Sequence, residues 1–284
     1  MAVTLNKDAV LTRSFNNSIA LVRTEGKEKI LFSKGIGFGK KFGDIITAGT
    51  EIEKVFTIEN EDNVRNLQKL INTVDEEFFV VCEEAILEIS KRIKGELNEN
   101  IHVGLIDHLS FAIKRLEKDE EIQNPFLVEI ETLYPKEYEL AEFVADKVGK
   151  KVGVFIPEGE VGFIALHIHS AMNNGKLSNT IKYSYIANTI VEHVEDRLNI
   201  EIDRKSLDYA RFLTHIRFAI ERVMTNVPIC NDLIGIIKIR YKKSYAIAEE
   251  VALILKKQLS VGISEDEIAY LAMHIERFRI SMKL

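Results

Sequence analysis

The sequence predicts an α+β protein in which a small strand-rich module precedes two copies of a helical module. Residues 9–56 lack helical periodicity and contain short apolar runs between turn-forming residues, whereas the pattern after residue 57 is helical. Two blocks of the helical part also recur at one fixed offset along the chain, which carries His108 onto His215. The chain has 284 residues, 46% apolar and 29% charged, which is an ordinary soluble composition with room for two or three domains.

The first module has the sequence pattern of short strands joined by turns. Apolar runs at residues 19–22 and 30–32 are bounded by Asn16-Asn17 and by the segment 24–27, Thr-Glu-Gly-Lys. The second joint predicts a hairpin. Residues 1–56 contain nine Lys and Arg against six Asp and Glu, which gives this module a charge of +3. Because the net charge of the whole chain is -6, the remaining residues carry a charge of -9. This asymmetry favours an interaction module at the N-terminus.

Residues 35–44 contain four glycines, two phenylalanines and two lysines. A phosphate-cradling nucleotide loop requires a helix directly after the glycines, and residues 44–56 show no clear helix. Glycines that allow close approach, phenylalanines that stack on unpaired bases and lysines that contact phosphates favour a surface for single strands or RNA loops. A glycine-rich strand and turn whose phenylalanines lie in the core is the alternative.

The repeated blocks of the helical part each carry a histidine. Residues 107–115 align without a gap on 214–222, and residues 158–168 align on 265–275. The second block begins with an acidic helix start in each copy, at residues 157–160 and 264–267. Four of the seven histidines therefore form two equivalent pairs with the same separation along the chain: His108 with His167, and His215 with His274. Because unselected residues drift after duplication, the recurrence of both positions favours a function for them.

Three kinds of chemistry suit paired histidines. A metal site needs three or four ligands, but the first repeat offers only two histidines and Asp107, and Thr214 replaces that aspartate in the second. General acid–base catalysis is an alternative, although no nucleophile, oxyanion hole or cofactor loop accompanies the histidines. Phosphorylation of the imidazole needs only an accessible ring nitrogen. We therefore expect no catalytic residue, no metal and no cofactor, with a metal-binding or enzymatic His-pair protein as the alternative.

The sequence also indicates a location. It has no run of about 18 apolar residues and no apolar signal-peptide core near its start, which predicts a cytoplasmic protein without membrane insertion. Cys82 and Cys230 occupy non-equivalent places in the repeats, so they favour neither a disulfide framework nor a cysteine metal site.

Asn16-Asn17, the run from Lys34 to Lys41 and Gly43-Asp44 resemble the co-antiterminator (CAT) RNA-binding domain of the BglG/SacY family of transcriptional antiterminators. Residues from about 66 onward resemble the two phosphotransferase-system (PTS) regulation domains of that family. The segments 124–127, 133–135 and 159–170 are most similar to its glucose-type members. The predicted domains are the CAT domain at 1–57, a linker at 58–65, and regulation domains at 66–173 and 174–284.

This resemblance implies a regulator that is not an enzyme. Its small antiparallel β domain is expected to bind an antiterminator hairpin in the leader mRNA as a homodimer, which prevents a terminator hairpin from forming. Its two all-α helical-bundle domains are expected to be phosphorylated by HPr and by a sugar-specific enzyme II, the glucose permease. The phosphoacceptors are His108, His167, His215 and His274. The predicted RNA face comprises Asn16, Asn17, Ser18, Lys34, Gly35, Phe38, Lys40 and Lys41.

Two further expectations concern the regulation domains. Asp107 is predicted to orient His108 by accepting a ring N–H, whereas Thr214 offers only a hydroxyl, so the two sites are expected to be inequivalent. The same domains occur on DNA-binding activators, which is a further alternative. Residues 1–60 show no recognition-helix pattern in its support.

Overall fold

The structure is a computed structural model that describes residues 3–173 and 177–281. The chain divides into two compact units. The first comprises Met1–Gln123 and Lys136–Gly175, and the second comprises Asn124–Pro135 and Lys176–Leu284. The expected α+β class, a small antiparallel sheet followed by helical domains, is confirmed.

The strand-rich module contains seven described strands. They are β1 (Val3–Thr4), β2 (Ala9–Ser14), β3 (Ile19–Thr24), β4 (Lys27–Phe32), β5 (Ile45–Ile46), β6 (Glu51–Ile52) and β7 (Lys54–Ile58). An antiparallel sheet has the order β5-β2-β3-β4-β7, and β1 pairs with β6. The predicted hairpin joins β3 to β4, with Thr24 opposite Lys27. Its central residues Glu25 and Gly26 both have positive φ, 53° and 77°, as the tight turns that match the twist of paired strands require.

The central strands β3 and β4 of the five-stranded sheet are buried on both faces. Ala20, Val22 and Leu31 lie in a small core on one face. Because successive side chains of a strand alternate, their neighbours point to the opposite face, where helices of the first unit cover them. There the ring of Phe56 lies 4.6 Å from that of His102, and Phe15 stacks on Phe79 at 4.6 Å.

Eleven helices follow in the described residues. They are α1 (Glu61–Thr73), α2 (Glu76–Arg92), α3 (Asn100–Leu116), α4 (Leu127–Leu133), α5 (Pro135–Val152), α6 (Glu158–Met172), α7 (Leu177–Leu198), α8 (Leu207–Thr225), α9 (Ile234–Arg240), α10 (Lys242–Leu259) and α11 (Glu265–Ser281).

The fixed offset of the sequence repeat recurs in the helices. The segments α4 and α5 have the same bounds as α9 and α10 after this shift, and α3 and α6 begin at the positions equivalent to the starts of α8 and α11. The earlier helices do not repeat, since α1 and α2 stand where the second copy has the single helix α7. This is the stretch in which the sequence similarity fades.

The polar segment at 58–65 differs from the predicted linker. Asn60 caps α1 by accepting hydrogen bonds from the backbone N–H groups of Asp62 and Asn63, and the helix begins at Glu61. The acidic and amide residues that suggest a linker therefore form a helix start, because the same residue types satisfy the free N–H groups of a first turn.

The segment 124–135 also departs from the predicted boundaries, which place it in the first regulation domain. The structure groups it with the second unit. There the hydroxyl of Tyr209 donates a 2.6 Å hydrogen bond to the buried carboxylate of Glu129 in α4. In the described ranges, no helix combines the length and the apolar character needed to cross a membrane.

Candidate functional site

The first candidate site is formed by two loops of the strand-rich module. The loop between β2 and β3 contains Asn16, Asn17 and Ser18, and the glycine-rich loop follows β4. Backbone hydrogen bonds join them, from Ser33 N–H to the carbonyl of Ser18 (3.0 Å) and from Gly37 N–H to the carbonyl of Asn17 (3.3 Å). The fold thus brings two separate groups of predicted RNA-binding residues onto one surface.

Gly37 makes this close approach possible. A Cβ at this position would lie 2.1 Å from the carbonyl oxygen of Asn16 and 2.4 Å from Oγ of Ser14. The Ser14 hydroxyl also donates a 3.1 Å hydrogen bond to the carbonyl of Gly37. Any side chain larger than hydrogen would push the two loops apart.

The three polar residues of the β2–β3 loop are not equivalent. The side-chain oxygen of Asn16 accepts hydrogen bonds from the backbone N–H groups of Ser18 (2.7 Å) and Ile19 (2.8 Å). This side chain shapes the turn in the way that Asx turns do. The side chains of Asn17 and Ser18 are exposed and are free to contact a ligand.

The glycine-rich loop presents aromatic and basic groups to solvent. Phe38 and Phe42 are 72% and 82% exposed, which contradicts the alternative in which they belong to the core. Lys34 and Lys41 are exposed and Lys40 is half-buried. Within the described part of the chain, none of these three lysines forms an ion pair with a carboxylate. Exposed rings beside unpaired cations suit unstacked bases and phosphates.

The second candidate site is the first histidine pair. His108 on α3 and His167 on α6 are far apart in the chain, but their ring centroids lie 5.1 Å apart. His108 Nε2 lies 3.1 Å from a carboxylate oxygen of Glu160, whose other oxygen accepts a 2.5 Å hydrogen bond from Arg115. Glu160 therefore contacts Arg115 with one carboxylate oxygen and His108 with the other.

The second pair repeats this arrangement. The ring centroids of His215 on α8 and His274 on α11 are 4.9 Å apart. Glu267 lies 3.6 Å from His215 Nε2 and accepts two hydrogen bonds from Arg222, of 2.5 and 2.8 Å. Duplication has therefore preserved a four-residue constellation in each module.

The orienting carboxylate is a correction to the sequence analysis. Asp107 is exposed, and the carboxylate that contacts His108 is that of Glu160 from the facing helix. Successive side chains of a helix point about 100° apart, so Asp107 points away from the side of α3 on which His108 faces α6. Thr214 is likewise occupied within its own helix, since its hydroxyl donates to the carbonyl of Ala210 (2.7 Å).

The glutamates are held ionised. Burial alone would raise the pKa of Glu160, but its contact with His108 and the Arg115 guanidinium outweigh burial and lower it. The same balance, with Arg222 as the stronger partner, lowers the pKa of Glu267 to about 2. Each site therefore contains a fixed negative charge against one ring.

The other histidine of each pair is held neutral. Burial, followed by the neighbouring His108, lowers the pKa of His167 to about 3. Burial and the neighbouring His215 are the largest causes that lower the pKa of His274 to about 4. A neutral imidazole keeps a nitrogen lone pair near pH 7, which is what a nucleophile requires.

Sequence reasoning missed the Glu–Arg pairs, although a signal for them was present. Arg115 and Arg222 are the last residues of the first repeated block, and Glu160 and Glu267 are identical residues in the second. Their recurrence at the same offset as the histidines marks them as members of the same site.

The remaining histidines lie outside these constellations. His102 is fully buried against Glu83 (2.9 Å), His169 contacts Glu137 (2.8 Å), and His193 contacts Glu250 (2.8 Å). Across residues 3–173 and 177–281, no group of three or more His, Cys, Asp and Glu side chains has a geometry that could hold a metal ion.

A β module with an exposed aromatic and basic loop surface, followed by two helical modules with paired histidines, defines an RNA-binding regulator. The description "CAT RNA binding domain" matches residues 10–65, and "PRD domain" matches residues 83–171 and 188–278. The chain therefore belongs to the family of transcription antiterminators that carry a CAT RNA binding domain and two PRD domains.

Curated relatives match almost the whole chain. The PtsGHI operon antiterminator of Bacillus subtilis (strain 168) is 38% identical over 277 residues, which cover 96% of this chain and 98% of that protein. Transcription antiterminator LicT of the same strain is 34% identical over 92% of this chain and 95% of its own length. Protein GlcT of Staphylococcus aureus (strain Newman) is 32% identical over 95% of this chain and 96% of its own length.

A solved structure is similar to part of the chain. It is described as the crystal structure of GlcT CAT-PRDI, and it is 41% identical with a TM-score of 0.50. The match covers 59% of this chain and 99% of that one. Membership of this family implies an RNA target and regulation by the phosphotransferase system.

Proposed function

We propose that this antiterminator binds a hairpin in a leader mRNA as a homodimer, and that phosphorylation of His108, His167, His215 and His274 controls the binding. The joined loops of the CAT domain carry the RNA part of the proposal, because they present Asn17, Phe38 and the unpaired lysines together. The protein acts in the cytoplasm, where transcripts and phosphocarrier proteins meet, and has no catalytic activity of its own.

The histidine constellations support phosphoryl transfer. The lone pair of a neutral ring nitrogen attacks the phosphorus of a donor phosphohistidine and forms a new N–P bond. The N–P bond of the donor breaks, and its electron pair returns to the donor ring. At the first pair the buried Glu160 then lies close to the added charge, which is roughly -2, so phosphorylation disfavours the packed arrangement of that pair. This repulsion is the means by which a local change alters the domain.

Phosphorylation is expected to act through a symmetric dimer. A two-fold interface duplicates every charge change, so a modification near it alters the geometry of the whole assembly. Light scattering and small-angle X-ray scattering, before and after phosphorylation, measure this effect. An unchanged mass and shape would contradict the coupling.

The similarity to glucose-type members suggests which protein phosphorylates each domain and whether the phosphorylation inhibits or activates antitermination. The glucose permease phosphorylates the first regulation domain when the sugar is scarce and switches antitermination off. HPr phosphorylates the second domain, with a lesser activating effect. The segment 159–170 and relatives named GlcT support the glucose type.

A gel shift of the full chain with a leader-RNA hairpin, with and without phosphorylation, tests the binding. A reporter gene behind the leader tests the sign. His108→Ala should leave antitermination on in the absence of glucose, because the inhibitory site cannot be modified. If that variant stays off while His215→Ala stays on, the roles of the two domains are reversed.

A further inference from the structure

The second histidine pair has a cluster of charged residues that the first pair lacks. In this arginine cluster, Arg277 Nη2 lies 2.7 Å from Oδ1 of Asp208, and Arg211 Nη1 lies 3.7 Å from the same oxygen. The equivalent positions in the first repeat, at the same fixed offset, are Ile101, Gly104 and Ser170, none of them charged.

The arginine cluster faces the histidines. Asp208, Arg211 and His215 follow one another at three- and four-residue spacing on α8, so they share one side of the helix. Arg277 stands three residues after His274 on α11 and therefore lies on the same side of that helix. Burial and His215 lower the pKa of His274 most, Arg277 and Arg211 lower it further, and Asp208 opposes them. Both guanidinium groups thus act electrostatically on this ring.

The groups of the cluster are accessible. The side chains of Arg211 and Arg277 are 47% and 49% exposed, and that of Asp208 is 26% exposed. In the first pair, by contrast, the backbone of α3 lies against the Nδ1 side of the His167 ring. A Cβ added to Gly104 would lie 3.3 Å from His167 Nδ1, so the backbone of α3 approaches this ring closely.

We propose that Arg211 and Arg277 form an anion site that binds the phosphoryl group carried by the second histidine pair, and that Asp208 occupies the two arginines in the unmodified protein. A phosphoryl group has three strong acceptor oxygens and up to two negative charges, and guanidinium groups bind it with paired hydrogen bonds. It therefore displaces the single carboxylate of Asp208. This inference rests on the proposed phosphorylation of the second domain.

The consequence is a difference in kind between the two domains. On the second pair, a phosphoryl group exchanges one ion pair for another and ties α8 to α11. On the first pair, Gly104 and Ser170 stand at the equivalent positions, so the added charge lacks these two cations there. One duplicated chemistry can thus stabilise one module and disrupt the other.

The first experiment needs no phosphorylation. The unmodified full chain is titrated with inorganic phosphate, and the ring signals of His274 and the Nε signals of the arginines are followed by NMR. Asp208→Asn should bind phosphate about two- to fivefold more tightly than the parent, because a competing half-exposed ion pair is removed. Arg211→Gln with Arg277→Gln should weaken binding about five- to tenfold.

Arg279→Gln is the matched control. Arg279 lies on the same helix and pairs with Glu276 at 2.7 Å, but it is not part of the arginine cluster. Its substitution should leave phosphate binding unchanged, and circular dichroism verifies the fold of every variant. An affinity that is the same in the double arginine variant, or no saturable binding in Asp208→Asn, would overturn the anion site.

The second experiment uses chains phosphorylated with phosphoramidate, a small phosphoryl donor, in a background of His108→Ala and His167→Ala. The phosphorus NMR signals of the second pair are those that disappear when His215→Ala and His274→Ala are added to this background. The double arginine variant should lose its phosphoryl group several-fold faster, and the Arg279→Gln control should not. An equal rate of loss would contradict the proposal. If phosphate binds as expected but the second pair accepts no phosphoryl group, the proposed function fails while the anion site stands.

Discussion

Gly37 offers the most direct test of the RNA surface. Replacing it by Ala adds one methyl group where a Cβ would lie 2.1 Å from the Asn16 carbonyl oxygen. Ordinary van der Waals contact begins at about 3.4 Å, so the loops have to separate by about 1.3 Å. Overpacking of this kind costs about 1 to 3 kcal/mol. The φ of Gly37 is not in the left-handed region, so the effect arises from the lack of space alone.

The separation also weakens two bonds between the loops. These are the hydrogen bonds from Gly37 N–H to Asn17 and from the Ser14 hydroxyl to Gly37, each worth about 0.5 to 1.5 kcal/mol. Because RNA binding requires the joined arrangement, we expect the affinity for the leader hairpin to fall by about tenfold or more. Fluorescence anisotropy with labelled RNA at one fixed salt concentration measures this fall.

The control is the same substitution at Gly235 in α9. This glycine is helical, and a Cβ there meets nothing within 4 Å. Gly235→Ala should leave RNA binding unchanged and stabilise the helix by up to about 1 kcal/mol. If Gly37→Ala binds RNA as tightly as the parent, the joined loops are not the binding surface.

Three further predictions concern single side chains. Phe38→Ala should weaken RNA binding by about 1 to 3 kcal/mol through loss of base stacking, measured by the same assay, while Phe155→Ala, similarly exposed but in the helical part, should have no effect. Burial lowers the pKa of His167 to about 3 in the folded chain, whereas its ordinary pKa in the unfolded chain is about 6.5. The unfolded state therefore binds the proton first, so the stability contributed by the neutral ring is complete above pH 6.5 and is lost as the pH falls toward 3. His167→Gln should therefore reduce the acid destabilisation at pH 5 by about 2 kcal/mol in urea unfolding, and parallel pH profiles of variant and parent would contradict this. Glu267→Gln should destabilise the protein by roughly 1 to 3 kcal/mol at pH 7, because it leaves the half-buried guanidinium of Arg222 without its carboxylate. The control Glu265→Gln breaks an exposed ion pair and should cost less than about 1 kcal/mol. Similar losses of unfolding free energy in both variants would refute a stabilising role for the Arg222–Glu267 pair.

The elements that local sequence patterns define were predicted well. The runs at 19–22 and 30–32 became β3 and β4 with the hairpin between them, because turn residues and β-forming residues act over a few positions. The acidic helix starts at Glu158 and Glu265 are likewise where the sequence placed them. Polar character alone misled at 58–65, since a helix cap and a linker use the same residues.

The equivalence of the two histidine pairs was also readable from the sequence. One fixed offset joins them, and a duplicated module folds each copy into the same helices. The offset indicated that His108 belongs with His167, and the structure places their rings 5.1 Å apart. Glu160 and Glu267 recur at the same offset, whereas Thr214 replaces Asp107, so the repeat favoured the glutamates, but only the structure shows their contact with the histidines.

What the sequence by itself determined was the type of each element, the repeat and the set of residues that recur in it. Only the tertiary structure decided which carboxylate faces each histidine, that Gly37 lets the two loops meet, and that residues 124–135 pack with the second unit. The physical reason is one of range. Periodicity and turn chemistry are local properties of the chain, whereas a contact between helices depends on which side chains fill the space between them.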